Sequence, residues 1–221
     1  MAYRDHGARI VGAGTRTWGL ALALMAAGVS CASTGAGGAP SGPPRTFTAA
    51  ELYPLEAGWK WAYDLVKDGQ TMLALYSVLD RTGDSATVQA GEDQLGYAIT
   101  PDGIAQKDGP VVGDIIVKNP VAVGTEWPVA GGRARITAVA QTINVTAGRF
   151  DDCVVVEATR TDPTRIARTT FAPGVGPAII EMQIQVGGEM TTVTRATLRA
   201  VTRPGQDPLA MRGGSVPVRG F

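Results

Sequence analysis

Histidine is all but missing from the chain: the single one, His6, lies in the first thirty residues. With it go the commonest general base, proton shuttle and metal ligand. Ser-His-Asp and Cys-His chemistry are therefore excluded for everything downstream. Cysteine is as scarce, with only Cys31 and Cys153, too few for a zinc site without histidine. Charge of one sign is missing too. The 20 basic and 20 acidic residues balance, and removing Arg4, Arg9, Arg16 and Asp5 with the first thirty residues leaves 17 basic and 19 acidic. A chain so close to neutral lacks the basic footprint that nucleic acid requires. No phosphate-binding or cofactor motif compensates: the pair Gly174 and Gly176 in "APGVGPA" has neither the lysine nor the helix start that a phosphate loop needs. That pair reads as a tight connection between strands.

What is present begins at the N-terminus. Three arginines precede an uncharged run from Thr17 to Ser30, too short for a membrane-spanning helix of about 20 residues. A positive start, a short apolar stretch and small residues at its end describe a secretory signal peptide over residues 1–30. The segment "AAGVSC" resembles the lipobox of bacterial lipoproteins, with Gly28 where leucine is usual. The resemblance implies that Cys31 receives diacylglycerol and becomes the mature N-terminus. Two or more acyl chains hold a protein at a membrane, since each buried CH₂ contributes about 0.8 kcal/mol. Ala32 stands where aspartate marks retention at the inner membrane, so the resemblance implies the periplasmic face of an outer membrane. Residues 31–46 then read as a flexible Gly/Ser/Pro tether, with a root-mean-square span of roughly 20 Å for about 15 residues. With Cys31 lipidated, Cys153 has no disulfide partner, and the domain must depend on its core.

Residues 47–203 form one domain of ordinary size. "WKWAYDLV" sets Trp59, Trp61, Tyr63 and Leu65 on one face and Lys60 and Asp64 on the other, the period of a half-buried strand. Nine further runs rich in Val, Ile and Thr follow between glycine, proline and aspartate turns: "QTMLALYSVLD", "SATVQAG", "QLGYAIT", "VVGDIIVKN", "GRARITAVAQTINV", "DCVVVEATR", "TRIARTTFA", "PAIIEMQIQ" and "MTTVTRATLRAV". No apolar period of 3.6 appears. The pattern predicts an all-β domain of about ten strands, a strongly twisted antiparallel sheet curled into an open barrel or folded as a sandwich. A helical turn is expected at "TAAELYPL", with Thr48 as cap and Glu51 three residues later. Residues 204–221 read as a loose tail.

Three segments, "LYPLEAGWKWAYDL", "VTAGRFDDCVVVEA" and "TTFAPGVGPAIIEM", together resemble the TapB-like group of exported bacterial lipoproteins. Phe171 and Pro177 depart from that group's frequent tyrosine and leucine. The resemblance implies an exported antiparallel β-domain of poorly known function and no catalytic residue. Pro177 further implies an edge position or a strand start.

Candidate sites are few. Trp59, Trp61 and Tyr63 either line a pocket for a lipid or sugar or fill the core as knobs of the first strand. Cys153, beside two acids and a valine run, reads as a small buried hydrophobe. Asp151 and Asp152 point to opposite faces of a strand unless a bulge intervenes. Arg133, Arg135, Arg165 and Arg168 read as charges on one solvated face or as a rim for anionic lipid heads. Asn144 in "NVT" is a chance match in a chain with a bacterial lipobox. The leading expectation is a non-enzymatic lipoprotein whose β-domain is a binding or assembly module for an envelope protein. The alternative is a carrier or chaperone for an apolar ligand or lipid.

Overall fold

The computed structural model describes residues 45–108, 113–161 and 164–206; the signal peptide, Cys31, nearly all of the tether and most of the tail lie outside them. Among the described residues one short helix, α1 (Ala49–Leu52), precedes twelve strands: β1 (Lys60–Lys67), β2 (Gln70–Thr82), β3 (Ser85–Ala90), β4 (Asp93–Thr100), β5 (Gly103–Asp108), β6 (Ile115–Lys118), β7 (Glu126–Val129), β8 (Gly132–Val145), β9 (Gly148–Thr161), β10 (Thr164–Ala172), β11 (Gly176–Val186) and β12 (Glu189–Thr202). All belong to one antiparallel sheet, in the order β6-β5-β4-β3-β2-β1-β12-β11-β10-β9-β8-β7.

This order forces curvature. Two six-strand meanders meet where β1 pairs with β12, and β6 and β7 are the opposite edges. A flat sheet of twelve strands would hold those edges about 50 Å apart at about 4.8 Å per strand. The chain from Lys118 to Glu126 makes only eight Cα steps, a reach of at most about 28 Å. The sheet therefore curls until the edges approach. Side chains bridge the seam: Trp127 Nε1 donates to the Ile115 carbonyl at 2.7 Å, and Ala130 N donates to Asp114 Oδ1 at 2.7 Å. A single curled sheet replaces the sandwich alternative.

Two of the twelve strands, β5 and β7, escaped the pattern. β5 (GIAQKD) has a weak polar alternation, and β7 (EWPV) carries Pro128. Proline removes a ladder donor and is confined to edges, bulges and strand starts; β7 is an edge. Pro177 obeys the same rule differently, as the second residue of the interior strand β11, opposite a register shift between Thr170 and Phe171.

The base of the barrel holds the core. Thr48 and Glu51 form the expected capping box, and the segment it fixes buries Phe47, Ala49, Leu52, Tyr53 and Leu55. Tyr53 lies 5.7 Å from the rings of both Trp61 and Tyr97 and 6.1 Å from Phe171. Strands from both meanders thus pack on one tyrosine. Among the described residues no buried side-chain nitrogen or oxygen lacks a hydrogen-bond partner.

On the outer face the register aligns Glu126, Arg135, Glu157, Arg168, Glu181 and Arg195 on successive strands from β7 to β12. Alternating signs across neighbouring strands are favourable, and two of the pairs close, Arg168–Glu157 at 2.7 Å and Arg195–Glu181 at 2.9 Å. The β8–β9 hairpin extends further. Register shifts along it, with Ala140 and Asp152 at φ of 55° and 57°, bend it so that Ala147 N donates to the Leu198 carbonyl of β12 at 3.1 Å.

Candidate functional site

Along β9 and β10 the inner face carries Val156, Ala158 and Arg160, then Arg165, Ala167 and Thr169. Small residues at 158 and 167 leave the wall unfilled. Ile115 and Val129 from the two edge strands, with Met182 of β11, complete a cavity of about 370 Å³. Its size falls in the range of small-molecule sites, which runs from about 300 to 1,000 Å³. The end of the barrel holding the β1–β2 and β11–β12 turns is rimmed by Val66, Met72, Val186 and Met190, all exposed.

Three charged side chains line the cavity: Asp114, Arg160 and Arg165. Asp114 is buried and bonded through both oxygens, accepting from Ala130 N at 2.7 Å and from Arg160 Nη2 at 2.6 Å. This pair rigidifies one side of the site. Arg165 is the exact register partner of Arg160 across the β9–β10 hairpin, and it is exposed. No other titratable side chain lines the cavity among the described residues. The wall is apolar with cationic side chains near it, and among the described residues lining it none presents a nucleophile next to a base.

The aromatic residues singled out in the sequence lie elsewhere. Trp59, Trp61 and Tyr63 are buried in the core, Trp59 and Trp61 stacked at 5.8 Å. Their polar ends serve the fold: Trp61 Nε1 donates to the Val175 carbonyl at 2.7 Å, and Tyr63 Oη donates to the Pro177 carbonyl at 2.8 Å. Those carbonyls precede the β11–β12 ladder, which starts at Ile179. Burial pushes the Tyr63 hydroxyl well above its ordinary range, with the nearby Tyr76 and Tyr97 adding to it.

The remaining candidates sort by geometry. Cys153 is fully buried, and burial, with help from Asp151 and Asp152, pushes its thiol up to about 11; it is an inert core residue. A bulge does interrupt β9 at the aspartates, with a register shift from Cys153 to Phe150, yet Asp151 is occupied on the surface by Thr142 Oγ1 at 2.6 Å and by Arg149 at 3.1 Å. Those two bonds hold its carboxyl below the usual range. Gly174 sits in the β10–β11 turn and Gly176 opens β11, at φ of 67° and 112°, and Gly174 N donates to the Glu51 carbonyl at 2.7 Å. The turn is a strand connection, as expected. Arg135 and Arg168 share the outer charged row, but Arg165 does not. Residues three apart on a strand face opposite sides, so Arg165 lines the interior while Arg168 faces out.

Two further hollows are present. One of about 340 Å³ at the base is lined by Phe47, Val121, Val139 and Val154, and one of about 350 Å³ on the outer face by Ala62, Leu75 and Ala200. Among the described residues no group of three or more His, Cys, Asp or Glu is placed to hold a metal ion. No described helix is long and apolar enough to cross a membrane.

No protein-family model matches the chain, and no curated protein does; the resemblance to the TapB-like group therefore has no family match behind it. Two solved structures are similar. One, from Bacteroides fragilis, is described as an exported protein with a YmcC-like fold; it has a TM-score of 0.45 and 13% identity, with 68% of this chain and 98% of that one covered. The other, from Parabacteroides distasonis, is described as a lipoprotein; it has a TM-score of 0.38 and 10% identity, with 69% and 98% covered. At such distance neither likeness transfers a role.

Proposed function

We propose that the protein is an exported, non-enzymatic lipoprotein, anchored through Cys31 at the periplasmic face of an outer membrane, whose curled sheet carries an apolar ligand. The observation that supports the carrier role is the cavity of about 370 Å³ between β6, β7 and the inner faces of β8–β11. Its wall of Ile115, Val129, Val156, Ala158 and Ala167 suits an aliphatic group better than a sugar, because such a wall offers no ring for a sugar to stack on. The address rests on the N-terminal pattern. Cys31→Ser is expected to release the protein from membranes, and attachment unchanged by that substitution would overturn the anchor.

The test of the carrier role is native mass spectrometry on the full Cys31→Ser chain, exported to a bacterial periplasm and purified without detergent. Discrete added masses that vanish on denaturation are the expected result. A bare protein mass, with no uptake of dodecanoate or dodecanol when these are added, would overturn it.

A second reading, the binding or assembly module for an envelope protein, draws on a different feature. Leu73 and Leu75 of β2 are each 58% exposed, and Leu75 borders the outer hollow with Ala62 and Ala200. Crosslinking from that face in intact cells to a single envelope protein, lost on Leu75→Asp, would favour this reading.

A further inference from the structure

We infer that the ligand of this cavity is a single-chain amphiphile with an anionic headgroup, and that Arg165 receives the anion; the inference rests on the carrier reading. Its starting point is an arrangement that folding alone disfavours. Arg160 and Arg165 are direct register partners on adjacent strands, and both line the cavity. Like charges directly opposite one another destabilise a sheet. One partner is compensated, because Arg160 Nη2 lies 2.6 Å from Asp114 Oδ2. The other is not: among the described residues no carboxylate lies within ion-pair distance of Arg165.

Asp114 carries one negative charge against the two arginines and is paired with Arg160. Its other oxygen accepts from Ala130 N at 2.7 Å, and among the described residues lining the cavity one positive charge is left in excess beside an apolar wall. A carboxylate, phosphate or sulfate would relieve the opposition of the arginines through charge-assisted hydrogen bonds, which a planar guanidinium makes well. The wall sets the rest of the ligand. Ala158 and Ala167 lie between the arginines and Val156 and Thr169, so a chain attached to the anion runs along small and aliphatic side chains. Met182, a flexible apolar residue suited to chains of varying shape, borders the same space.

The experiment compares three 12-carbon probes, dodecanoate, dodecanol and dodecyltrimethylammonium, by calorimetry on the full Cys31→Ser chain and on the same chain carrying Arg165→Gln. Dodecanoate is expected to bind at least tenfold more tightly than the other two, and Arg165→Gln to remove about that factor for dodecanoate alone. The unliganded Arg165→Gln chain is expected to melt no lower than its parent, since the substitution removes one of two like charges paired in register. Equal binding of dodecanoate and dodecanol, or dodecanoate binding that ignores Arg165→Gln, overturns the headgroup assignment and leaves the carrier reading standing. Binding of none of the probes overturns both.

Discussion

Tyr63→Phe isolates one interaction that ties the two meanders together. The hydroxyl is buried and donates to the Pro177 carbonyl at 2.8 Å. Pro177 pairs with Phe171 on one side but lies outside the β11–β12 ladder on the other, and the phenol is the side-chain donor to its carbonyl. Removing the hydroxyl leaves the ring and its packing on Tyr76, 5.4 Å away, and strips a buried acceptor of its donor. Such a loss costs about 1–3 kcal/mol. Taking about 2 kcal/mol, and about 2–4 °C per kcal/mol for a domain of this size, the melting temperature falls by about 4–8 °C. Tyr76→Phe is the internal control, because its hydroxyl makes no hydrogen bond among the described residues and its ring is only partly buried. Urea denaturation followed by tryptophan fluorescence should show a lowered midpoint at constant slope for Tyr63→Phe, and a change within about 0.5 kcal/mol for Tyr76→Phe. Equal effects from the two substitutions would refute the reasoning, since burial without the Pro177 bond would then explain both.

Burial holds the hydroxyls of Tyr53, Tyr63, Tyr76 and Tyr97 above their ordinary value. Above about pH 10 the unfolded chain releases protons that the folded chain keeps, so stability falls as pH rises, by up to about 1.4 kcal/mol per pH unit for each group. On the chain from residue 31 onward, whose only tyrosines are these four, the tyrosinate band should therefore appear together with unfolding; a band titrating near pH 10 with the fold intact would contradict this. Cys153, whose thiol is raised to about 11 from 9, should react with a disulfide reagent at pH 8 only as fast as the domain opens, and immediate reaction in the native protein would refute its burial. Glu157→Gln, which breaks the 2.7 Å pair with Arg168, is expected to cost about 0.5–1 kcal/mol at low ionic strength and less in 1 M salt. A loss that salt leaves unchanged would show that the carboxylate acts other than through its charge.

Much of the fold was legible because a strand announces itself through its period. Ten runs of alternating or β-branched residues correspond to ten of the twelve strands, and the capping box at Thr48 and Glu51 is local enough to read directly. β5 and β7 were missed for opposite reasons. In β5, Ile104 is its one large apolar residue, fully buried, and Gln106 is an inward-facing polar residue that breaks the expected alternation. In β7 a proline argues against a strand, although an edge tolerates it. The choice between barrel and sandwich was not local at all. It depends on the connection from Lys118 to Glu126 joining opposite edges, a fact of strand order rather than of any segment.

The candidate site was harder to see, and its residues show why. Aromatic rings drew attention to Trp59, Trp61 and Tyr63, but in a barrel plugged by Tyr53 and Leu55 large rings at the base become core, and a cavity forms where side chains are small. Ala158 and Ala167 carry no signal by themselves. The signal that was available lay in the arginines. Arg165 and Arg168 differ by an odd number of positions and must face opposite sides of a strand. Arg160 and Arg165 lie near the facing ends of β9 and β10 and, once the register places Thr161 opposite Thr164, must face the same side. Two like charges so aligned on an inner face conflict with the stability of the sheet, and local conflicts of that kind concentrate at functional sites. The conflict also bears on the two proposed readings: a module that binds a protein through its outer face makes no use of an arginine pair lining the cavity, whereas the proposed carrier of anionic amphiphiles would use it.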